Sequence, residues 1–392
     1  MKVLVVHNTY QQKGGEDTVF ESEVELLRSN GILVDTLLYD NHEIKSPIDK
    51  IKTGIFAFYS PEGKQKITQK INEFQPDVIH VHNFFPLASP SIFFAANKLN
   101  IPIVMTLHNY RLICPSAYLF YNGKIYEENI NKKFPISPVI KGVYRESVVQ
   151  TASLVFMTGI HKVFNTWKNR VDRYITLTQF AKNKFIGSSL GASTSKFAVK
   201  PNFVSDIGIG KDLRSGFLFI GRLSEEKGIK TLIEAFSNTS AQIKILGDGP
   251  LKKLVEDAAN KNSNIEYLGF KPRKEVVEML KSVKALVFTS VWYEGMPMVI
   301  LEALSVGTPV IASNMGGPAE MITHNENGLL FEPANTQALK ETLETIENDS
   351  VLAKKLSNGA RQSYLDKYTE TANLKILLDI YKQVIEQKKA TA

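Results

Sequence analysis

Short aliphatic runs recur along this 392-residue chain, each giving way to a glycine-bearing polar loop and then to a helical pattern. In the front half they fall at 3–6 (VLVV), 32–38, 77–81, 101–107, 173–178 and 196–200, and in the back half at 217–221, 243–247, 265–269, 285–289 and 309–312. Runs this short and this continuously apolar predict strands buried on both faces, and their alternation with helices predicts parallel sheets covered by helices. The two sets are separated by Lys200-Pro201-Asn202-Phe203 and a polar, glycine-rich stretch to Gly216. The expected fold is therefore α/β with two Rossmann-like domains, residues 1–203 and 204–364, whose strand-end loops point at one cleft if the domains face each other. A last helix over 365–392 carries an apolar stripe (Leu374, Leu377, Ile380, Tyr381, Val384) and is expected to pack back on the first domain.

Composition narrows the class. At 43% hydrophobic and 22% charged residues the chain is an ordinary globular protein, too long for one core. Its single cysteine, Cys114, forbids an internal disulfide and a cysteine metal cluster and lacks any flanking nucleophile signature. MKVLVVHNTY reads as a strand rather than a signal peptide, and the longest apolar run elsewhere, Leu154–Ile160, is far short of the roughly 20 residues of a membrane span. The expected location is the cytoplasm, at the inner face of the membrane.

Charge is uneven: residues 1–200 hold 24 Lys+Arg against 16 Asp+Glu, and the remainder 23 against 24. No basic recognition helix, zinc knuckle or stacked-aromatic basic repeat appears, so nucleic acid is not an expected partner. Val139 to Arg173 mixes an apolar stripe (Val148, Val149, Leu154, Val155, Phe156, Ile160, Val163, Phe164, Trp167) with Lys162, Lys168, Arg170 and Arg173. It reads either as a face for an anionic membrane or as a helix packed on its own sheet.

The richest stretch is Phe288 to Glu320, a strand, a glycine- and proline-punctuated loop, a helix, and a second strand and glycine loop. Glu294 and Glu302 bracket the loop-to-helix junction, where the backbone N–H groups of Gly295 to Val299 converge as an anion site; the carboxylates then suit hydroxyls. Arg222 and Lys227 directly follow strand 217–221, where two cations on a short loop can reach adjacent phosphates, or serve only solubility. Gly14-Gly15 after the first strand permits close approach of a ligand or simply a turn. His80 and His82 share a face at a strand end and could be metal ligands, a reading weakened by the lack of a third ligand nearby in sequence. His108 ends the strand 101–107 and suits core or cleft. No G-x-G-x-x-G follows the first strand and no Asp-x-Asp occurs.

Taken together, Gly14-Gly15-Glu16, Gly221-Arg222-Leu223 with Lys227-Gly228, Gly247-Asp248-Gly249-Pro250, Leu268-Gly269-Phe270, Glu294-Gly295-Met296-Pro297, Glu302-Ala303, Gly307-Thr308-Pro309 and Asn327-Gly328 resemble the retaining nucleotide-sugar glycosyltransferases of family four, with the GT-B fold. The resemblance spans nearly the whole chain and is strongest over 217–331. The front half looks like bacterial members from surface-polysaccharide gene clusters.

The resemblance implies transfer of a hexose or N-acetylhexosamine from a nucleotide diphosphate sugar to a glycan or lipid-linked acceptor, with no cofactor beyond that co-substrate and no metal. It implies that Arg222 and Lys227 hold the diphosphate, that Glu302 holds the ribose and Glu294 the transferred sugar, and that Gly295, Met296, Met298 and Val299 give backbone or lining contacts. Phe270 would line the base, Gly14 and Gly15 approach the diphosphate, and His108 reach the sugar. Two positions depart from the family pattern: Met296 stands where many relatives have phenylalanine, and Asn202-Phe203-Val204 replaces Asn-Gly-Val. A sugar-nucleotide 2-epimerase and a non-catalytic relative share the plan; the first lacks this Arg/Lys and Glu/Glu pattern, and the intact pattern argues against the second.

Overall fold

Each of two sheets is wholly parallel, as continuous apolar strands require. The computed structural model describes residues 1–11 and 14–391, the side chains of residues 47, 50 and 51 apart. The chain divides into a first unit (residues 1–121, 126–201 and 373–392) and a second (residues 122–125 and 202–372).

In the first unit the strands are β1 (Lys2–Thr9), β2 (Leu33–Asp40), β3 (Val78–Val81), β4 (Ile103–Leu107), β5 (Arg173–Thr176) and β6 (Phe197–Val199), in spatial order β2-β1-β3-β4-β5-β6. Val3 sits opposite Val34 on one side and Val78 on the other, which makes β1 a central strand with Val3 to Val6 excluded from water. Helix α1 (Gly15–Ser29) follows β1 and lays Val19, Phe20, Val24 and Leu27 inward, with acidic Glu16 and Asp17 at its positive end. The strand order reverses at β1 and β3, so the loops after them part and leave a crevice.

The second unit carries β7 (Phe217–Ile220), β8 (Ile243–Leu246), β9 (Ile265–Gly269), β10 (Ala285–Phe288), β11 (Val310–Ser313) and β12 (Gly328–Phe331), in order β9-β8-β7-β10-β11-β12. Counted within the unit this is the doubly wound order 3-2-1-4-5-6, with its reversal between β7 and β10. Phe217, Phe219, Ile245, Val287 and Ile311 anchor its core.

The helix expected from Leu365 onward is two helices, Ser350–Lys367 and Glu370–Ala390. Thr369 divides them: its hydroxyl accepts the Ala372 N–H at 3.3 Å and so caps the second helix. From residue 373 the last helix belongs to the first unit, where Leu377, Ile380, Tyr381 and Val384 join Val3, Val5, Val24 and Leu27 in one cluster.

Candidate active site

At the reversal point of the second unit, the loops after β7 and β10 are sewn together. Thr289 Oγ1 donates to the Lys227 carbonyl at 2.7 Å, and the Val291 N–H to the Glu226 carbonyl at 2.9 Å. Gly228 makes this approach feasible, since it takes φ +68° and a Cβ there would overlap the Thr289 carbonyl oxygen. The result is an ion pair between Lys227 and Glu294. Glu294 Oε1 also accepts from Ser290 Oγ at 2.8 Å and Trp292 Nε1 at 2.7 Å, so three donors converge on one oxygen of a nearly buried carboxylate. The Lys227 ammonium lies 5.5 Å from the centre of the Trp292 ring.

Behind the carboxylate, Gly317 presses its backbone onto the loop: its N–H donates to the Glu294 carbonyl at 3.0 Å, and a Cβ would overlap the Gly295 carbonyl oxygen. The helix Met298–Ser305 begins next, and the amides of Met298 and Val299 in its first turn have no partner within the helix. One turn on, Glu302 meets Arg273 at 3.2 Å. Burial pushes the Glu302 carboxyl above its ordinary range, against the pull of Arg273. Arg222 stands exposed at the end of β7, and Phe270 exposed beyond the end of β9.

In the first unit, the loops after β1, β3 and β4 gather Glu16, His82, Asn83, Phe85, His108, Asn109 and Arg111 around a small cavity. Glu16 accepts from Tyr10 Oη at 2.9 Å, and burial pushes its carboxyl up. The Arg111 guanidinium lies 4.7 Å from the Phe85 ring centre. His108 is half-buried and rests on a buried chain: His108 Nε2 is 3.0 Å from His82 Nδ1, and His82 Nε2 is 3.1 Å from Glu23 Oε1. Glu23 Oε2 accepts from the Lys200 ammonium at 2.7 Å, which also donates to Asn373 Oδ1 at 3.1 Å.

Charges along this chain follow from its surroundings. Burial alone would raise the Glu23 carboxyl, but Lys200, His80 and His82 hold it well below the usual carboxylate range. Burial, with His80 beside it, lowers His82 to about 4, and burial lowers His108 well below an ordinary histidine. With Glu23 ionised and both imidazoles neutral, His82 must give its Nε2–H to Glu23. Its Nδ1 then accepts the His108 Nε2–H, which leaves His108 Nδ1 as a bare acceptor.

Residues 41–206 match the sequence model of Glycosyltransferase Family 4 and residues 211–363 that of Glycosyl transferases group 1. The chain is a glycosyltransferase. It is 26% identical over 98% of its length, and 99% of the relative's, to an uncharacterized glycosyltransferase of Methanocaldococcus jannaschii. A putative teichuronic acid biosynthesis glycosyltransferase of Bacillus subtilis is 26% identical over 81% of this chain and 73% of its own. Among solved structures, Anabaena HepE in complex with UDP-glucose superposes with a TM-score of 0.68 at 17% identity, over 97% of this chain and all of that one. These matches give the epimerase alternative no support.

Within the second unit, the structure of the transferase brings together Lys227, Glu294 and the Gly295–Val299 loop. The Met296 side chain in that loop is buried, and its sulfur accepts the Asn202 N–H at 3.1 Å. Phe203, which departs from the Asn-Gly-Val pattern of the resemblance, is buried with an ordinary negative φ, so this position needs no left-handed backbone. Gly14 and Gly15 also have ordinary backbone, and a Cβ at Gly15 would meet nothing within 4 Å. The unit's own packing therefore does not demand glycine at residue 15. Cys114 is buried with its thiol pushed up by burial, which disfavours the nucleophilic thiolate.

His80 and His82 do find a third donor in Glu23, with all three ligand atoms within 4.8 Å of one another. Each is nonetheless spent on a hydrogen bond, His80 on Tyr381 Oη and Thr106 Oγ1 at 2.7 Å each. Sequence reading missed Glu23, Lys200, Arg111, Arg273, Ser290 and Trp292. Glu23 left a signal, an acid in the apolar stripe of α1 beside Phe20, Val24 and Leu27.

Proposed function

We propose that the transferase moves a hexose or N-acetylhexosamine from a nucleotide diphosphate sugar to a lipid-linked glycan of a surface polysaccharide, retaining the anomeric configuration and needing no metal. The single observation that carries this reading is the Lys227–Glu294 pair at the strand-order reversal of the second unit, with Arg222 on the same loop. An ammonium has three N–H donors, so Lys227 can keep Glu294 and still bind diphosphate oxygens as charge develops on the leaving group. Glu294, fixed by Ser290, Trp292 and Gly317, then meets hydroxyls of the transferred sugar near the reacting carbon. Glu302 takes the ribose hydroxyls, the first-turn amides take phosphate or sugar oxygens, and Phe270 lies by the base.

From the first unit we assign the Nδ1 acceptor of His108 to a donor-sugar hydroxyl, and Gly14 and Gly15 to the diphosphate. In the step itself the bond from the anomeric carbon to the phosphate oxygen breaks, and the acceptor oxygen bonds to the same face. The acceptor's proton passes to the departing phosphate oxygen. The UDP-glucose held by HepE and the teichuronic acid role in the name of the B. subtilis relative support donor and product class. We place the reaction in the cytoplasm at the inner face of an anionic membrane; among the described residues no helix is long and apolar enough to cross one.

The test is a panel of nucleotide sugars with and without EDTA, read by mass spectrometry for released nucleoside diphosphate and by NMR for the anomeric configuration of the product. Release unaffected by EDTA and a product of unchanged configuration are expected. No turnover on any donor, even with lipid extracts as acceptor, sinks the catalytic reading.

A further inference from the structure

Helix α2 (Val148–Val163) is apolar on two faces, a pattern that in a globular protein belongs to a helix buried all round. One face is covered: Leu154, Val155 and Met157 are in the core of the first unit, as is Trp167 just beyond the helix. The other is open. Val149, Phe156 and Val163, spaced seven apart and so on one stripe, are 78, 52 and 46% exposed, and Phe164 after the helix is 68% exposed.

Neighbouring segments extend the open face. Ser153 Oγ donates to the Gly54 carbonyl at 3.1 Å, which fastens helix Pro47–Phe56 to α2 with Ile55 and Phe56 exposed. Phe58 packs edge-on against Phe156 with ring centres 6.0 Å apart, and both remain exposed. Phe134 lies against α2 at Gly159, where a Cβ would overlap its ring, and leads into exposed Ile136 and Ile140. Isolated exposed apolar residues need no explanation, but a joined set of aromatic and branched side chains marks a surface that something covers.

Charge chooses the occupant. Residues 131–170 hold seven Lys and Arg (Lys132, Lys133, Lys141, Arg145, Lys162, Lys168, Arg170) against one acid, Glu146. Lys162 is buried and takes no part, whereas Lys132, Lys133, Lys141, Arg145 and Lys168 are exposed. Lysine is depleted at protein interfaces, and a basic apolar surface of this composition instead suits anionic headgroups with acyl chains beneath them. We propose that this face of the first unit, centred on Val149, Phe156, Val163 and Phe164, docks on an anionic phospholipid bilayer. The proposal names the surface for the membrane contact given above and rests on that reading for its sense.

The full chain is sedimented with zwitterionic vesicles and with vesicles enriched in an anionic phospholipid, at low and high salt. Binding to the anionic vesicles that weakens with salt is expected. A Phe156→Ser, Phe164→Ser double variant should lose binding by roughly a hundredfold, about tenfold for each buried ring. Lys132→Glu, Lys133→Glu should lose it mainly at low salt. Because these side chains are exposed, melting temperatures should match the wild type, and donor hydrolysis in lipid-free buffer should persist in both variants. Wild-type protein that stays in the supernatant with every vesicle overturns the proposal, as does a Phe variant that binds undiminished. A self-association lost in the Phe variant without any vesicle binding would assign the face to a second copy and overturn it too. Vesicle binding without turnover on any donor would leave this surface standing and sink the transfer reading alone.

Discussion

The two units solve the same problem differently. Both place loops at the reversal of a parallel sheet, and both bring a lysine to a glutamate: Lys227 to Glu294 in the second, Lys200 to Glu23 in the first. The first of these pairs lies among loops at a strand end, still partly open to water, and its ammonium has donors to spare. The second is buried beneath the sheet end and is linked through neutral His82 to half-buried His108. An ion pair left partly open is available for ligand chemistry; one fully buried can only fix geometry, at a desolvation cost its partners must offset.

The comparison is broken most severely at Glu23. Glu23→Gln leaves Lys200 buried and uncompensated and should destabilise the first unit by about 3–5 kcal/mol, read by urea unfolding. A Glu23→Leu, Lys200→Met double variant should recover much of that loss; equal losses in single and double variants would show that the charge is not what matters.

Lys227→Ala should do the reverse. It should lower kcat/KM by roughly 10²–10³. Its stability loss should stay below about 2 kcal/mol, since Ser290 and Trp292 still satisfy Glu294. Unchanged binding of nucleoside diphosphate by calorimetry would remove Lys227 from the phosphate.

Acid separates the units further. His82 is neutral when folded, down to about 4, but protonates near 6.5 when unfolded, so the unfolded chain binds the extra proton between those values. Stability should thus be full above pH 6.5 and fall by on the order of 2–3 kcal/mol as pH drops toward 4. Glu23 adds a further loss at lower pH, where its depressed carboxyl at last protonates. His82→Asn should flatten the upper part of this profile, and a slope that persists unchanged would assign it elsewhere.

The smallest effect expected is at Glu302. Its carboxyl is raised by burial, so it protonates on acidification before an ordinary glutamate does, and donor KM should climb in that range. Glu302→Ala should raise donor KM by about tenfold, the scale of one or two lost hydrogen bonds, with little change in kcat and no residual pH dependence of KM.

Much of this was legible in the chain itself. Val3 to Val6 or Ala285 to Phe288 can be little but buried strand, and a cation or acid directly after such a strand has few places to go, which is why Arg222, Lys227, Glu294 and Glu302 stood out. Strand starts moved by a residue or two, as where β4 begins at Ile103 after Pro102. Pairing across elements was not legible. Glu23, Lys200 and Asn373 come from α1, the end of β6 and the last helix, and only the packed sheet makes them neighbours. The same holds for Arg273 on Glu302 and for the Met296 sulfur on the Asn202 N–H. The stripe between Val139 and Arg173 divided its two readings: Leu154, Val155 and Trp167 went to the core, Val149, Phe156 and Phe164 to the surface.

The route by which Lys200 is satisfied bears on how the protein is made. Its amide partner Asn373 and the neighbouring Tyr381, which caps His80, follow the rest of the first unit by some 170 residues of chain. At a synthesis rate of 5–20 residues per second, residues 1–201 wait roughly 10–35 s on the ribosome before those partners emerge. During that interval the nascent first unit has α1 on that sheet face but leaves the apolar area under the last helix uncovered, and it should be a better chaperone substrate than the finished chain.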